Sequence, residues 1–192
     1  MSKVFVITGP SGVGKGSLIS RLRERVPELE LSVSATTREP RAGEEDGRDY
    51  RFLAPAEFAR LADEGAFLEH ATFSGNRYGT LRADIEAHLR AGHPVVLEIE
   101  VQGARQVRAA MAGDSEDDAV LIFIAPPDPE VLRERLATRG TDSTDAIARR
   151  LETAKQELEA QVEFPHVVCN DDLDEAIDEL EEIVRTELGE AS

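Results

Sequence analysis

The sequence predicts an α/β fold, in which a parallel β-sheet is flanked by helices. Apolar runs typical of buried strands occur at 4–8, 94–101 and 120–125, and segments with helical apolar spacing lie between them. This alternation is typical of parallel sheets, because each crossover between parallel strands needs a long connection, usually a helix. With 192 residues the chain can bury one core, and its composition does not mark off a second independent domain.

The segment after the first strand is a glycine-rich loop, GPSGVGKGS, here called the phosphate loop (residues 9–17). Its glycines allow positive φ, so that backbone N–H groups turn inward beside the positive end of the next helix. Lys15 adds a mobile cation, as in the pattern G-x-x-x-x-G-K-[ST]. Gly16 replaces the magnesium-binding hydroxyl of that pattern, and a hydroxyl follows at Ser17. The loop predicts a site for nucleotide phosphates.

The remaining elements follow from apolar spacing and turn residues. Strands are predicted at 29–37, at 50–53, twice within 66–80 around Ser74-Gly75-Asn76, and at 167–169. Helices are predicted at 18–25, 54–64, 81–91 and 103–112, in two segments of 128–159 broken at 139–141, and from a cap at Asp172 to 188. The β-rich section 34–80 lies between α/β units, so we expect it to be an insert on the core sheet.

Two acids interrupt the apolar run at 94–101. Glu98 and Glu100 are two residues apart, so in a strand both side chains would point to one face, near the carboxyl end where open α/β sheets bind ligands. Because buried paired carboxylates are costly without neighbouring cations, we interpret this pair as functional.

Charge and cysteine content exclude several classes of protein. A formal net charge of −17 opposes binding to nucleic acids and to anionic membranes. The sequence shows neither a secretion signal pattern nor an apolar run of membrane-spanning length. The single cysteine, Cys169, cannot form an intramolecular disulfide, and we interpret it as a small core residue. We expect a soluble cytoplasmic protein, either a monomer or a homodimer.

Arginine recurs beside tyrosine in the polar loop 38–49 and after the predicted hairpin. The residues are Arg38, Arg41, Tyr50, Arg77 and Tyr78. Guanidinium and phenol groups are suitable donors for a phosphate monoester, which is mostly dianionic at neutral pH and attacks without a general base. The pattern favours a phosphorylated acceptor. Composition alone also allows a solvated turn at 38–49 and simple helix-surface ion pairs for the arginines of 128–159.

Seven segments together resemble guanylate kinases, over about residues 3–188. They are GPSGVGKGS at 9–17, SATTREPRAGEEDGRDY at 34–50, FLEHATFSGNRYGT at 67–80, EIEVQG at 98–103, FIAPP at 123–127, RLATRGT at 135–141 and VCNDDLDEA at 168–176. The resemblance implies a P-loop NTPase-type core (1–33, 81–125 and 160–189), a GMP-binding insert (34–80) and a helical lid (126–159). It also implies Mg2+-dependent transfer of the ATP γ-phosphoryl group to GMP, with dGMP as a further candidate acceptor.

The resemblance assigns residues by position. ATP would be bound by Gly9, Pro10, Ser11, Gly12, Val13, Gly14, Lys15, Gly16 and Ser17, with Asn170 near the adenine. GMP would be bound through its phosphate by Arg38, Arg41, Tyr50 and Tyr78, and on the guanine side by Ser34, Glu69, Thr80 and Glu98. Catalysis would use Lys15, Arg38, Arg135, Arg139 and Arg150, and Mg2+ would lie near Ser17 and Glu100 through water.

The chain departs from the family pattern at three positions. Gly16 replaces a serine or threonine, and Glu98 and Glu100 replace aspartates. We expect activity to survive, since water can complete the metal shell. Alternatives are a related kinase for ribose 1,5-bisphosphate, which would not need Ser34 and Glu69, and a non-catalytic interaction module, which would lose the phosphate-loop and lid residues. An adenylate kinase would fit the phosphate loop but not the arginine–tyrosine loop.

Overall fold

The computed structural model describes residues 3–73, 75–112, 119–138 and 144–190, with no side chains described for 136–138 and 144–150. Its strands are β1 (Val4–Thr8), β2 (Glu30–Leu31), β3 (Ala35–Thr36), β4 (Arg51–Phe52), β5 (Phe67–Phe73), β6 (Asn76–Leu81), β7 (Val95–Glu98), β8 (Val120–Ala125) and β9 (His166–Cys169). Its α-helices are α1 (Lys15–Arg25), α2 (Pro55–Asp63), α3 (Arg82–Arg90), α4 (Val101–Met111), α5 (Pro129–Thr138), α6 (Thr144–Glu159) and α7 (Leu173–Glu187), and a short 3-10 helix spans Ala160–Glu163.

The core is a five-stranded parallel sheet in the order β2-β7-β1-β8-β9. Residues of the central strand β1 alternate between two apolar clusters: Phe5 and Ile7 pack with residues of α1 and α7, whereas Val4 and Val6 pack with residues of α3 and α4. Both faces of the sheet are therefore covered, which explains why β1 and β8 are continuously apolar. The predicted α/β fold is confirmed.

A second sheet has the order β4-β3-β6-β5, in which β5 and β6 form an antiparallel hairpin. It has a small core of its own, where the rings of Phe58 and Phe67 stack with centroids 4.4 Å apart. The single strand predicted at 29–37 was wrong, because β2 belongs to the core sheet and β3 to the second sheet. The alternating pattern continues through residues 32–34 while the chain passes from one sheet to the other, so periodicity could not reveal the change.

Two further predictions need correction. β7 ends at Glu98, and Glu100 is the N-cap of α4, so the two carboxylates do not share a strand. Cys169 is exposed at the end of β9 and is not a core residue. The predicted break at 139–141 and the turn residue Ser74 lie outside the described residues. In the parts of the chain that the structure describes, no helix combines the length and the apolar content needed to cross a bilayer.

Candidate functional site

A cleft of about 350 Å3 lies between the carboxyl ends of β1 and β7 and the β5–β6 hairpin. The predicted site residues that line it are Gly9, Ser11, Lys15, Ser34, Tyr50, Glu69, Tyr78, Glu98 and Glu100. The carboxyl edge of a parallel sheet is where open α/β folds bind ligands. The structure thus brings three residues of the phosphate loop and five of the eight predicted acceptor residues to one cavity, whereas Arg38, Arg41 and Thr80 are not among its lining residues.

Glycine geometry shapes the phosphate loop as expected. The φ angles of Gly9, Gly12 and Gly14 are 141°, 87° and 102°, which L side chains rarely adopt. A Cβ atom at Gly9 would lie 2.3 Å from the carbonyl oxygen of Ile124, so this position also has no room for a side chain. The Nζ of Lys15 donates to the carbonyl oxygens of Gly9, at 2.6 Å, and Pro10, at 3.2 Å. Lys15 is therefore folded back over the loop.

Asn170 and Arg135 support the phosphate loop and do not line the cleft. The buried Asn170 side chain donates through Nδ2 to the carbonyl oxygen of Val13 at 2.7 Å, and Nη1 of Arg135 donates to the carbonyl oxygen of Asn170 at 3.2 Å. A Cβ atom at Gly14 would lie 2.6 Å from the Asn170 amide nitrogen. Glycine at position 14 therefore allows this close approach.

The arginine–tyrosine loop is held together by Glu44, which sequence reasoning did not single out. Arg38 donates to both carboxylate oxygens of Glu44, at 3.0 and 2.8 Å, and its guanidinium lies 5.2 Å from the ring centre of Tyr50. The backbone N–H of Arg41 donates to Glu44 at 2.7 Å, while Arg41 itself is exposed. Hydrogen bonds from Arg38 and then Arg41 lower the pKa of Glu44. The Tyr50 and Tyr78 rings meet edge to face, 6.2 Å apart.

Glu69 and Thr80 lie opposite each other on β5 and β6. The Thr80 hydroxyl donates to Oε1 of Glu69 at 2.7 Å, and only 4% of Glu69 is exposed. Burial raises the pKa of Glu69, and the side-chain and backbone hydrogen bonds of Thr80 oppose that shift. Glu69 is therefore a buried hydrogen-bond acceptor that lines the cleft and already has the Thr80 hydroxyl as one partner.

Three carboxylates interact electrostatically with Lys15, those of Glu98, Glu100 and Glu157. Burial first, and then repulsion from Glu157, raises the pKa of Glu100 to about 7, while Lys15 opposes the shift. Glu98 is exposed at the end of β7, but partial loss of hydration in the cleft still raises its pKa, against the attraction of Lys15. The acids of this site are thus held in an environment that disfavours their charges in the ligand-free protein.

Glu157, near the end of α6, is a cleft residue that sequence reasoning missed. Our composition-based alternative treated the acids of 128–159 as partners of helix-surface arginines. Instead Glu157 lines the cleft together with Ser11 and Lys15 of the phosphate loop, and its Oε2 is buried without a hydrogen-bond partner among the described residues. Burial raises the pKa of Glu157. No local signal marks this residue, because its role depends on how α6 packs beside the phosphate loop.

The structure does not bring every predicted residue to the cleft. Ser17 is exposed on α1 and is not among the lining residues. Arg139 lies outside the described residues, and the side chain of Arg150 is not described. Gly16 lies beside Glu98, since a Cβ atom there would be 3.7 Å from Glu98 Oε2. Within the described ranges, no three His, Cys, Asp or Glu side chains are grouped as ligands for a metal ion.

Comparisons with known proteins identify relatives along nearly the whole chain. The sequence model described as guanylate kinase matches residues 1–187. A guanylate kinase of Parasynechococcus marenigrum (strain WH8102) is 54% identical over 181 residues, covering 94% of this chain and 97% of the relative. One from Thermobifida fusca (strain YX) is 52% identical over 178 residues, covering 93% and 88%. A crystal structure of guanylate kinase from Anaplasma phagocytophilum is similar with a TM-score of 0.75 at 32% identity, covering 97% of this chain and 86% of that one.

Proposed function

The chain belongs to the guanylate kinase family and phosphorylates GMP with ATP, and we propose that the reaction takes place in the cleft between the phosphate loop and the β5–β6 hairpin. One observation carries this proposal. Lys15 of the phosphate loop and Glu69, whose carboxylate accepts from the Thr80 hydroxyl, line the same cavity, so a phosphate donor and a base-reading residue can meet in one cleft. The related ribose bisphosphate kinase and the non-catalytic module have no comparable support.

Guanine selection is assigned to Glu69, together with Ser34 and Thr80. An ionised Glu69 accepts from the ring N–H and the exocyclic amine of guanine, while the Thr80 hydroxyl occupies Oε1 from the other side. Adenine lacks that pair of donors and would leave a buried carboxylate unpaired. Discrimination against AMP follows from this unpaired charge.

The GMP phosphate is assigned to Arg38, Arg41, Tyr50 and Tyr78. A guanidinium has five N–H donors, and the bonds of Arg38 to Glu39 and Glu44 use three of them, so donors remain for phosphate. Glu44 keeps the Arg38 guanidinium over Tyr50, which orients it before the substrate arrives.

On the donor side, backbone N–H groups of residues 9–17 receive the ATP phosphates. Lys15 leaves the Gly9 and Pro10 carbonyls to neutralise the β- and γ-phosphates. An oxygen of the GMP phosphate attacks the γ-phosphorus in line, and the bond between that phosphorus and the ADP oxygen breaks. No general base is needed, because the phosphate of GMP is mostly dianionic at neutral pH. We assign Arg135, Arg139 and Arg150 to the transferred group and Asn170 to the adenine side.

We propose that the divalent ion of the reaction is Mg2+. The donor set fits, because the carboxylates of Glu98 and Glu100 supply the hard oxygens that Mg2+ accepts directly or through water. Gly16 leaves the space beside Glu98 open to water, and Ser17 is exposed next to it. Held by Glu98 and Glu100 directly or through water, Mg2+ would offset the negative charge of the ATP phosphates.

Further parts of the proposal concern organisation. We retain the division into a core (1–33, 81–125 and 160–189), a GMP-binding insert (34–80) and a lid (126–159), acceptance of dGMP, and a cytoplasmic monomer or homodimer. The passage of the chain from the core sheet to the second sheet at residues 32–34 supports the first boundary of the insert.

The test is ADP formation from ATP and Mg2+ with GMP, AMP, CMP, UMP or ribose 1,5-bisphosphate as acceptor. We expect turnover with GMP. Glu69→Gln should lose most of this turnover, because a glutamine amide has one oxygen acceptor and cannot accept from both guanine donors as a carboxylate does. Glu64→Gln changes an exposed acid at the end of α2 and is the matched control. Turnover with ribose 1,5-bisphosphate and not with GMP would overturn the proposal.

A further inference from the structure

Helix α4 connects the core to the guanine side of the cleft. It begins directly after Glu100 and packs against β5, the strand that carries Glu69. Two of its residues, Gly103 and Gln106, are three positions apart and therefore lie on one face of the helix. On β5, Gly103 lies against Glu69, and Gln106 is hydrogen-bonded to the next residue, His70.

Gly103 provides the space that the Glu69 carboxylate fills. A Cβ atom at position 103 would lie 2.5 Å from Oε2 and 3.1 Å from Cδ of Glu69. Gly103 is buried within a regular helix, where alanine is the more favourable residue and no positive φ calls for glycine. Space for Glu69 is therefore the physical reason for a glycine at this position.

Gln106 holds the backbone of the next residue. Its Nε2 donates to the carbonyl oxygen of His70 at 2.9 Å, and its Oε1 accepts from the His70 N–H at 3.2 Å. Among the described residues, β5 is the edge strand of the second sheet, so its outward backbone groups have no neighbouring strand there. The Gln106 amide takes the place of that strand at His70 and ties β5 to α4.

We propose that Gly103 and Gln106 are positioning residues that determine selectivity for guanine, because they hold the Glu69 carboxylate where the base must meet it. Thr80 fixes Oε1, Gly103 accommodates Oε2, and Gln106 fixes the strand beside them. This inference rests on the proposed role of Glu69 in reading the base of GMP.

Gly103→Ala is the direct test. The atoms that an added methyl group would meet are the end of a flexible side chain, so we expect a folded protein with a displaced Glu69 carboxylate. Because small displacements of a positioned group are costly, kcat/KM for GMP should fall by on the order of tenfold to a hundredfold, mainly through KM. The ratio of GMP to AMP turnover should fall as well, and KM for ATP should stay near the wild-type value. Gln102→Ala, at the exposed neighbouring position, is the matched control.

A double-mutant cycle separates positioning from a general structural effect. If Gly103 acts through the Glu69 side chain, Gly103→Ala should cause no further loss of GMP activity in a Glu69→Ala background. Gln106→Leu supplies an independent test, because it removes the amide and leaves the space at Gly103 unchanged. It should raise KM for GMP and leave KM for ATP unaltered.

The outcomes separate this inference from the proposed function. A wild-type protein that does not turn over GMP would refute the proposed function. If the wild-type protein turns over GMP, the inference would be refuted by Gly103→Ala and Gln106→Leu variants that keep the wild-type KM and selectivity for GMP. Additive losses in the cycle, or equal losses for GMP and ATP, would also refute it, because they indicate a general disturbance of the fold.

Discussion

At the scale of single residues, the cleft is dominated by acids. Glu69, Glu98, Glu100 and Glu157 all line it, and each has a raised pKa whose largest cause is burial. If the nucleotides bind in this cleft as proposed, these carboxylates would repel their phosphates. Cations must offset this repulsion; Lys15 lines the cleft, and we expect the divalent ion of the reaction to contribute as well.

The raised pKa of Glu100 makes the stability of the ligand-free protein depend on pH. The carboxyl has a pKa of about 7 in the folded state against 4.5 as the reference value, so the folded state binds its proton more tightly. Ionisation of Glu100 therefore destabilises the folded state. This loss of stability is absent below the pKa of Glu100 in the unfolded chain and complete above its pKa in the folded protein. Glu100→Gln should therefore raise the free energy of unfolding by about 1–2 kcal/mol at pH 8, a value reduced for partial exposure, and by much less at pH 5.

Urea unfolding of the ligand-free protein at the two pH values measures this effect. Glu179→Gln, which changes an exposed acid of α7, is the control and should alter stability little at either pH. A stabilisation by Glu100→Gln that is equal at pH 5 and pH 8 would contradict the raised pKa of Glu100 as the cause.

In the proposed site, Glu157 would compete with the phosphates of ATP. It lines the cleft together with Ser11 of the phosphate loop, and its charge acts on both Lys15 and Glu100. Glu157→Gln keeps the size of the side chain and removes its charge, so KM for ATP should fall by about two- to fivefold, as expected for a change near 1 kcal/mol. KM for ATP at saturating GMP is the measurement.

The control for this change is Glu159→Gln, an exposed acid two residues further along α6. It should leave KM for ATP unchanged. An unchanged or higher KM for ATP in Glu157→Gln would mean that the carboxylate does not obstruct the nucleotide.

At the scale of elements, helix α7 stabilises the core and takes no part in the site. The Asp172 side chain caps the helix by accepting from the backbone N–H groups of Asp174, at 2.9 Å, and Glu175, at 3.1 Å. Ile177, Leu180 and Val184 are buried against the core sheet. This arrangement confirms the cap at Asp172 and the helix predicted from the sequence.

Removal of this cap should affect stability alone. Asp172→Ala should lower the free energy of unfolding by about 1 kcal/mol, because two N–H groups at the helix start lose their acceptor. Thermal unfolding measures the change, and KM for GMP and ATP should not alter. Asp171→Ala, at the exposed preceding position, is the control. Altered nucleotide KM values would show that α7 influences the cleft after all.

At the scale of the whole molecule, we expect the two sheets to hold different substrates. The second sheet carries Glu69, Thr80 and Tyr78, whereas the phosphate loop follows the central strand of the core sheet. Hydrogen exchange should therefore show GMP alone protecting backbone amides within 34–80, and a non-hydrolysable ATP analogue alone protecting those within 9–17. Equal protection of both regions by either nucleotide would contradict this division of binding.

The fold and site were predictable where short patterns carry the information. β1 and β8 are continuous apolar runs, the phosphate loop has its own glycine and lysine spacing, and Asp172 is a local cap. These features depend on backbone conformation and burial within a few residues. Glu69 and Thr80 were assigned through a family resemblance, and the structure shows them hydrogen-bonded across the hairpin.

Packing between distant parts of the chain settled the rest. The split of 29–37 between two sheets, the exposure of Cys169 and the entry of Glu157 into the cleft all depend on neighbours far away in sequence. Gly103 is the clearest case: within a helix its sequence context shows only a weak helix former, whereas the fold places a buried carboxylate where its side chain would be. Periodicity describes which face of an element is buried, and only the folded chain specifies what that face meets.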